Sequence, residues 1–268
     1  MRRLVVLTLF ITSLFSMAFK QPQLSAVEFL NISQEFVFGE QLIFTGTIKS
    51  PSPLLEAVLF LRPFGADTET IPFKPTSTGE LKLTVNLTDY PVRAFSPVEY
   101  WYQVKLEDGN PITSPIYTFV YEDNRYSWQQ INTEAFSLSW TEGGVEFGSD
   151  LENASGDSLI SAQAILAVKI PAPIRIVVYP DSQSMQSAAK LASPTWAAGH
   201  ASPALNLIML SIPPGPDARA EMERQIPHEL MHILEYQVTG PAYNQIPVWL
   251  LEGLASSAEL YPNPDYQQ

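Results

Sequence analysis

The 268-residue sequence contains no cysteine and only three histidines. Without cysteine the chain forms no disulfide, carries no lipid-modified cysteine and offers no thiolate as a metal ligand or nucleophile. Basic residues are also scarce, with 15 Lys and Arg against 28 Asp and Glu, which gives a net charge of −13. A surface this acidic repels phosphate backbones and anionic lipid head groups, so nucleic acid is not expected as a partner.

A long hydrophobic run occurs only at the N-terminus. Two arginines precede an apolar stretch from Leu4 to Phe19, and small residues follow at Ser25 and Ala26, which is the layout of a secretory signal. The apolar stretch is shorter than the roughly 20 residues that cross a bilayer. We therefore predict that residues 1–26 are a signal peptide and that the protein is secreted or extracytoplasmic. An uncleaved signal anchor is the alternative, and no other membrane contact is expected.

The first half of the remaining chain is rich in β-strand signals. Seven short alternating runs follow one another, with Gly, Pro, Asp and Asn between them. This spacing predicts an all-β, immunoglobulin-like sandwich over residues 27–123. Asp108 and Gly109 mark a hairpin turn between two of the runs. The many aromatic residues are expected in the core of the sandwich rather than as a platform for carbohydrate.

The second half, residues 124–268, has mixed α and β patterns. We expect strands in 134–143, 173–180 and 203–213 and helices in 146–170 and 181–192. Two further helices are predicted at roughly 217–239 and 247–260. The fold class is therefore multidomain, with a β-sandwich followed by an α+β domain.

The run IPHELMHIL places His228 and His232 four residues apart. On a helix such residues lie on one face, about one turn from each other, so both imidazoles can reach one metal ion. Glu229 lies about 100° round the helix, where its carboxylate can reach a water on that ion without being a ligand. The alternative is a surface helix with two solvated histidines, but the flanks of the motif are apolar. We therefore predict a metal site with Glu229 as the base.

A catalytic zinc site has three protein ligands and one open position, so a third ligand is needed. The motif helix should end near residue 240, and a returning helix that starts at Pro247 reaches Glu252 after about 7.5 Å. His232 lies about 9 Å before the end of the first helix, so His232 and Glu252 should lie at similar heights along the two helices. A short helical hairpin would thus bring Glu252 to the metal.

Glu235 is a weaker candidate for the third ligand. It shares the face of the histidines, but it lies about 10 Å along the helix axis from His228. Position 238, where metzincins have their third His, is Val238.

The pattern His228-Glu229-x-x-His232, followed by Glu252 in WLLEGLASSAE, resembles that of gluzincin metallopeptidases, which include thermolysin-like and aminopeptidase-like enzymes. Within them it is most similar to the peptidase MA-like group of secreted bacterial proteins. The resemblance implies a zincin-like catalytic domain in which Glu252 is the third Zn²⁺ ligand and Glu229 activates the water. It also implies that Glu259 orients one of the ligands by a hydrogen bond.

The resemblance further implies an edge strand that pairs with an extended substrate peptide. In this sequence the main-chain groups around residues 206–210, including those of Asn206 and Ile208, would pair with the substrate. The Gly-x-Met-Glu-Asn motif by which aminopeptidases hold a free N-terminus is missing. Its absence favours cleavage of internal peptide bonds.

Two departures from the family pattern stand out. Pro227 precedes the first ligand, and we expect it to break the helix near Gln225 or to begin the helix. The sequence ends nine residues after Glu259, before the helical subdomain that gluzincins use as the far wall of the cleft and as the source of an oxyanion donor. The remaining candidates for that donor are His200, Tyr243 and Tyr261.

Two functions are consistent with these residues. The first is a secreted zinc-dependent peptidase, a hydrolase that acts on a peptide or protein substrate. The second is a non-catalytic adhesion or scaffolding module with a structural or vestigial zinc site. A sequence that is only part of a longer protein is a further alternative.

Overall fold

The structure is a computed structural model that describes residues 27–107, 109–189 and 199–261. The predicted signal peptide and Asp108 of the predicted hairpin turn lie outside the described residues. Within the described ranges, no helix is both long and apolar enough to span a membrane.

The N-terminal region consists of eight strands, all paired antiparallel. They are β1 (Glu28–Val37), β2 (Gln41–Lys49), β3 (Leu54–Pro63), β4 (Glu69–Phe73), β5 (Glu80–Asn86), β6 (Ser96–Leu106), β7 (Ile112–Thr113) and β8 (Tyr117–Tyr121). One sheet has the order β1-β2-β5, and the other has the order β4-β3-β6, with β7 and β8 both on the free side of β6. The predicted β-rich region is confirmed, while its immunoglobulin-like character stays a prediction.

Strict alternation along β6 explains how this region packs. Every second residue of the strand is buried, including Tyr100 and Tyr102, because successive side chains point to opposite faces of a sheet. Not all aromatic residues follow the expectation of a core position. Phe60 and Trp101 stack on the outer face, with ring centroids 5.3 Å apart, and Arg62 covers the Trp101 ring.

The C-terminal region is an α+β unit, as predicted. It contains β9 (Gln129–Asn132), β10 (Phe136–Trp140), α1 (Gly144–Ile165), β11 (Ile174–Tyr179), α2 (Ser182–Ala189), β12 (Gly199–Ser202), β13 (Leu207–Ser211), α3 (Ala218–Thr239) and α4 (Val248–Ala258). The sheet order is β12-β13-β11-β10-β9; β10, β11 and β13 run parallel, and the two outer strands run antiparallel to their neighbours. The predicted division of the chain at residues 123 and 124 stays a prediction.

The two faces of this second sheet pack against different partners. Ile176, Ile208 and Leu210 lie on one face, in a core that they share with α1, α3 and α4. Val177 and Met209, which alternate with them, lie on the other face and share a core with the sandwich. The sheet is thus covered on both sides, which is how a mostly parallel sheet buries its apolar strands.

A buried carboxylate ties the sandwich to the second sheet. Asp123 is fully buried, and its carboxylate accepts hydrogen bonds from the Arg125 guanidinium at 2.6 and 2.9 Å and from the Tyr179 hydroxyl at 3.0 Å. Because Tyr179 belongs to β11, this network fixes the chain that joins the two regions. Burial and the neighbouring Asp123 charge raise the pKa of the Tyr179 hydroxyl, so it stays a donor.

The helix that carries the metal motif has the predicted bounds, but it lacks the predicted irregularity at Pro227. α3 runs without interruption through Pro227, so the predicted break near Gln225 and the predicted start at Pro227 are both wrong. A proline inside a helix removes one hydrogen bond, and the helix continues here because the carbonyl left free finds donors elsewhere. A 3-10 helix (Gly240–Gln245) then connects α3 to α4.

Candidate metal centre

The predicted metal ligands are brought together by α3 and α4. His228 and His232 lie one turn apart on α3, and their ring centroids are 5.2 Å apart. Glu252 comes from α4, with one carboxylate oxygen 3.3 Å from His228 Nε2 and the other 3.8 Å from His232 Nε2. The three potential ligand atoms all lie within 4.8 Å of one another. The helical hairpin inferred from the sequence therefore forms.

The donor set fits zinc. Zn²⁺ takes imidazole nitrogen at about 2.0–2.1 Å and carboxylate oxygen at about 2.0–2.2 Å in tetrahedral geometry. Tetrahedral donors at such lengths lie about 3.3 Å from each other, close to the spacing between His228 and Glu252. Glu252 is 54 % exposed at its side chain, so the cluster opens to solvent on the α4 side.

Glu259 orients the first histidine. Its carboxylate lies 3.0 Å from His228 Nδ1 and is only 5 % exposed at the side chain. A carboxylate on Nδ1 fixes the ring and its tautomer and leaves Nε2 free for a metal. The structure thus places Glu259 beside a histidine, as the resemblance described above implies.

Glu235 orients the second histidine, a role that sequence reasoning missed. Its carboxylate lies 3.0 Å from His232 Nδ1, and its side chain is 3 % exposed. Glu235 had been considered only as a ligand and set aside because of its distance from His228. The signal that could have found it is the spacing of three residues from His232, which brings two helical side chains together.

Both histidines therefore have their Nδ1 atoms held and their Nε2 atoms pointing to Glu252. Burial lowers the pKa of His232, but the hydrogen bond to Glu235 and the charges of Glu229, Glu235 and Glu252 outweigh burial and raise it overall. The cluster is consequently a strongly negative pocket, suited to a cation.

Glu229 lies against the edge strand β12. The Ala201 main-chain N–H is close enough to this carboxylate to lower the pKa of Glu229. A Cβ atom on Gly199 would lie 2.6 Å from Glu229 Oε1, so any larger residue there would force the Glu229 carboxylate to shift. Burial raises the pKa of Glu229, against the lowering effect of His232, His228 and the Ala201 hydrogen bond. Raised basicity next to the metal cluster is what a general base needs.

The predicted substrate strand is in the wrong place. β13, which contains Ile208, pairs with β11 on one side and with β12 on the other, so its main chain has no free edge. Asn206 precedes β13 in a left-handed conformation, and its side chain accepts a hydrogen bond from Gln237. The prediction that Asn206 and Ile208 bind a substrate by strand addition is therefore wrong. The edge strand is β12.

The three candidate oxyanion donors have different positions. His200 lies opposite Met209, so its side chain is on the sandwich face of the sheet, away from α3, and its candidacy as a donor is wrong. Burial there, next to Arg93, lowers the pKa of His200. Tyr261 is 54 % exposed, and no contact joins it to the metal cluster in the described part of the chain.

Tyr243 is the candidate whose pKa is affected by the carboxylates of the cluster. It lies on the 3-10 helix between α3 and α4, with its ring packed on Tyr236. Burial, followed by the charges of Glu235, Glu252 and Glu229, raises its pKa, so its hydroxyl keeps its proton close to these carboxylates.

Comparison with known proteins identifies the C-terminal part of the chain. A family model described as Peptidase MA superfamily matches residues 154–268. No curated protein matches the chain.

Solved structures that match do so weakly. OgpA from Akkermansia muciniphila is 15 % identical with a TM-score of 0.30, and the match covers 36 % of this chain and 28 % of that one. A polysaccharide deacetylase from Bacillus cereus is 10 % identical with a TM-score of 0.29, covering 62 % and 57 %. A family 56 carbohydrate-binding module that binds β-1,3-glucan is 12 % identical with a TM-score of 0.23, covering 33 % and 98 %. Scores this low carry no argument about fold or function.

The carboxylates behind the histidines can be tested by metal affinity. Glu235→Ala and Glu259→Ala should each weaken zinc binding by about 10- to 100-fold, because each variant frees one ligand ring. Competition with a chromophoric chelator measures the affinity. Glu146→Ala, at an exposed acid on α1, is the matched control and should bind as the unchanged chain does. Equal affinities in all four proteins would contradict the assigned roles.

Proposed function

Because residues 154–268 are a Peptidase MA superfamily domain, we propose that the chain is a zinc-dependent metallopeptidase that hydrolyses internal peptide bonds. One observation carries the proposal. The His228 and His232 Nδ1 atoms are each held by a buried carboxylate while both Nε2 atoms converge on Glu252. Such an arrangement leaves three ligand atoms oriented toward one point and a base beside them.

His228, His232 and Glu252 would hold the Zn²⁺ ion. When bound, zinc supplies a Lewis acid that polarises the scissile carbonyl and lowers the pKa of water. Glu229 takes a proton from the attacking water and passes it to the leaving amine. Its contact with β12 holds the carboxylate at the edge of the sheet.

The number of ligands favours catalysis over a structural site. Structural zinc is almost always closed by four protein ligands, whereas catalytic zinc keeps one position open. The described residues offer three ligand groups here, and the third, Glu252, is more than half exposed. This favours the peptidase over a scaffolding module with a structural zinc site.

The substrate would be an extended segment of a peptide or protein. Among the described residues β12 is the outermost strand of the sheet next to Glu229, so a substrate strand would add along Gly199–Ser202. The Tyr243 hydroxyl would then donate a hydrogen bond to the oxyanion that forms on the scissile carbonyl.

The reaction would take place outside the cytoplasm if residues 1–26 direct export, as their layout suggests. N-terminal sequencing of protein recovered from an exported fraction tests this. We expect a mature chain that begins near residue 27, and a chain that stays in the cytoplasm with Met1 in place would contradict it.

Glu229→Gln tests the base. The variant should lose about 100- to 10,000-fold in kcat, because the amide cannot accept a proton, while its zinc content stays unchanged. Hydrolysis of an unfolded protein substrate, with and without chelator, measures the effect, and Glu146→Gln is the exposed control. Chelator-sensitive hydrolysis that survives in Glu229→Gln would show that another group is the base. No chelator-sensitive hydrolysis by the unchanged chain would favour the scaffolding module.

Tyr243→Phe tests the oxyanion donor. Loss of the hydroxyl should lower kcat by about 100- to 1,000-fold with little change in KM, because the hydrogen bond forms only as charge develops. Tyr261→Phe, at an exposed tyrosine, is the matched control. A Tyr243→Phe variant as active as the control would remove Tyr243 from the mechanism.

A further inference from the structure

Pro227 lies inside the helix that carries both histidines, where proline is costly. Proline lacks an N–H, so the carbonyl four residues earlier loses its helical partner, and the ring presses on that carbonyl. In α3 this carbonyl belongs to Glu223. A buried carbonyl without a donor costs free energy, so the position of its replacement donors matters.

The replacement donors come from the segment that follows α4. The Leu260 N–H donates to the Glu223 carbonyl at 2.9 Å, and the Tyr261 N–H lies 3.3 Å from the same oxygen. Both groups are supplied by residues distant in sequence, immediately after the end of α4 at Ala258. The helix with the histidines and the end of the next helix are thus joined at the carbonyl that Pro227 leaves free.

The residue directly before this junction is Glu259. Its carboxylate lies 3.0 Å from His228 Nδ1. Glu259 has left the helix, with an extended backbone, and its own main-chain N–H is 3.4 Å from the Ser256 carbonyl, so the α4 helix holds it only weakly. The hydrogen bonds of the next two residues to Glu223 therefore tie Glu259 to α3, while the buried Ala258, whose carbonyl accepts a hydrogen bond from the Ser161 hydroxyl, anchors the end of α4 on the other side.

We infer that Pro227 is a positioning residue of the metal centre: it keeps the Glu223 carbonyl free for the segment after α4, and that segment presents Glu259 to His228. An N–H at position 227 would offer the Glu223 carbonyl its ordinary helical partner and draw it back toward the helix axis. The segment would lose its anchor, and His228 would lose its fixed orientation. The inference rests on the zinc site of the proposed function, not on hydrolysis.

The test compares zinc affinity and stability in the full chain. Pro227→Ala should weaken zinc binding by about 10-fold, the lower end of the range for lost orienting partners. The same substitution should leave the unfolding temperature of the zinc-free protein unchanged or higher, since it restores a helical hydrogen bond. A proline with only a structural role would not lower zinc affinity while the unfolding temperature of the zinc-free protein stays the same or rises. Pro216→Ala, at an exposed proline before α3, is the control and should change neither.

A double-mutant cycle identifies the route of the effect. Glu259→Ala should weaken zinc binding by itself, and adding Pro227→Ala to it should cause no further loss, because the two changes remove the same contact. Leu260→Pro removes the Leu260 N–H that donates to the Glu223 carbonyl, and it should reproduce the loss of zinc affinity. This variant keeps the inference testable if Pro227→Ala fails to fold.

Three outcomes would overturn the inference. They are unchanged zinc affinity in Pro227→Ala, an undiminished effect of Pro227→Ala in the Glu259→Ala background, and unchanged affinity in Leu260→Pro. A chain that shows the expected coupling but hydrolyses no peptide would contradict the proposed function and leave this inference intact.

Discussion

Each histidine of the metal centre is fixed by a carboxylate that is itself almost fully buried. The two contacts, His228 with Glu259 and His232 with Glu235, decide which ring nitrogens face outward. Glu235 is held by the interior of α3, and Glu259 by the end of α4 where it meets α3.

This arrangement concentrates negative charge in the protein. Glu229, Glu235 and Glu259 lie at the centre with Glu252 at its rim. In the described residues Glu235, Glu252 and Glu259 form salt bridges only with the two histidines, and Glu229 forms none. Burying carboxylates without basic partners is expensive, and a divalent cation offsets that cost. Metal binding should therefore be coupled to the stability of the α3 and α4 hairpin, beyond its part in any reaction.

Much of the site could be predicted from the sequence because, in a helix, the spacing of residues along the chain determines which side chains lie on the same face. The four-residue separation of His228 and His232 and the length of the loop before Glu252 were enough to bring three ligands together. The order of the strands was harder to predict, because a strand pairs with segments that lie far away in the sequence. Nothing local in the sequence shows that β13 is interior and that β12 is the outer strand among the described residues, so the strand that contains Ile208 is wrongly predicted to be the edge.

The remaining errors arose where one residue serves two elements. Pro227 is typical of a helix break when α3 is considered alone. The donor that satisfies the Glu223 carbonyl, which Pro227 leaves without its helical partner, lies more than thirty residues further along the chain. His200 was placed near the metal by its position before a strand, but alternation turned it to the opposite face of the sheet. Glu235 was judged only as a ligand, although its spacing suits a hydrogen bond to His232 better.

The exposure of Glu252 has a kinetic consequence. This ligand belongs to the short α4 helix, whose first residues, Val248 and Trp249, are largely exposed, so its buried contacts are few. Short elements with few buried contacts open at lower free energy than the core they pack on. The lifetime of a bound ion should then be set by how often α4 lifts away from α3, and the same motion would provide the route by which the ion enters.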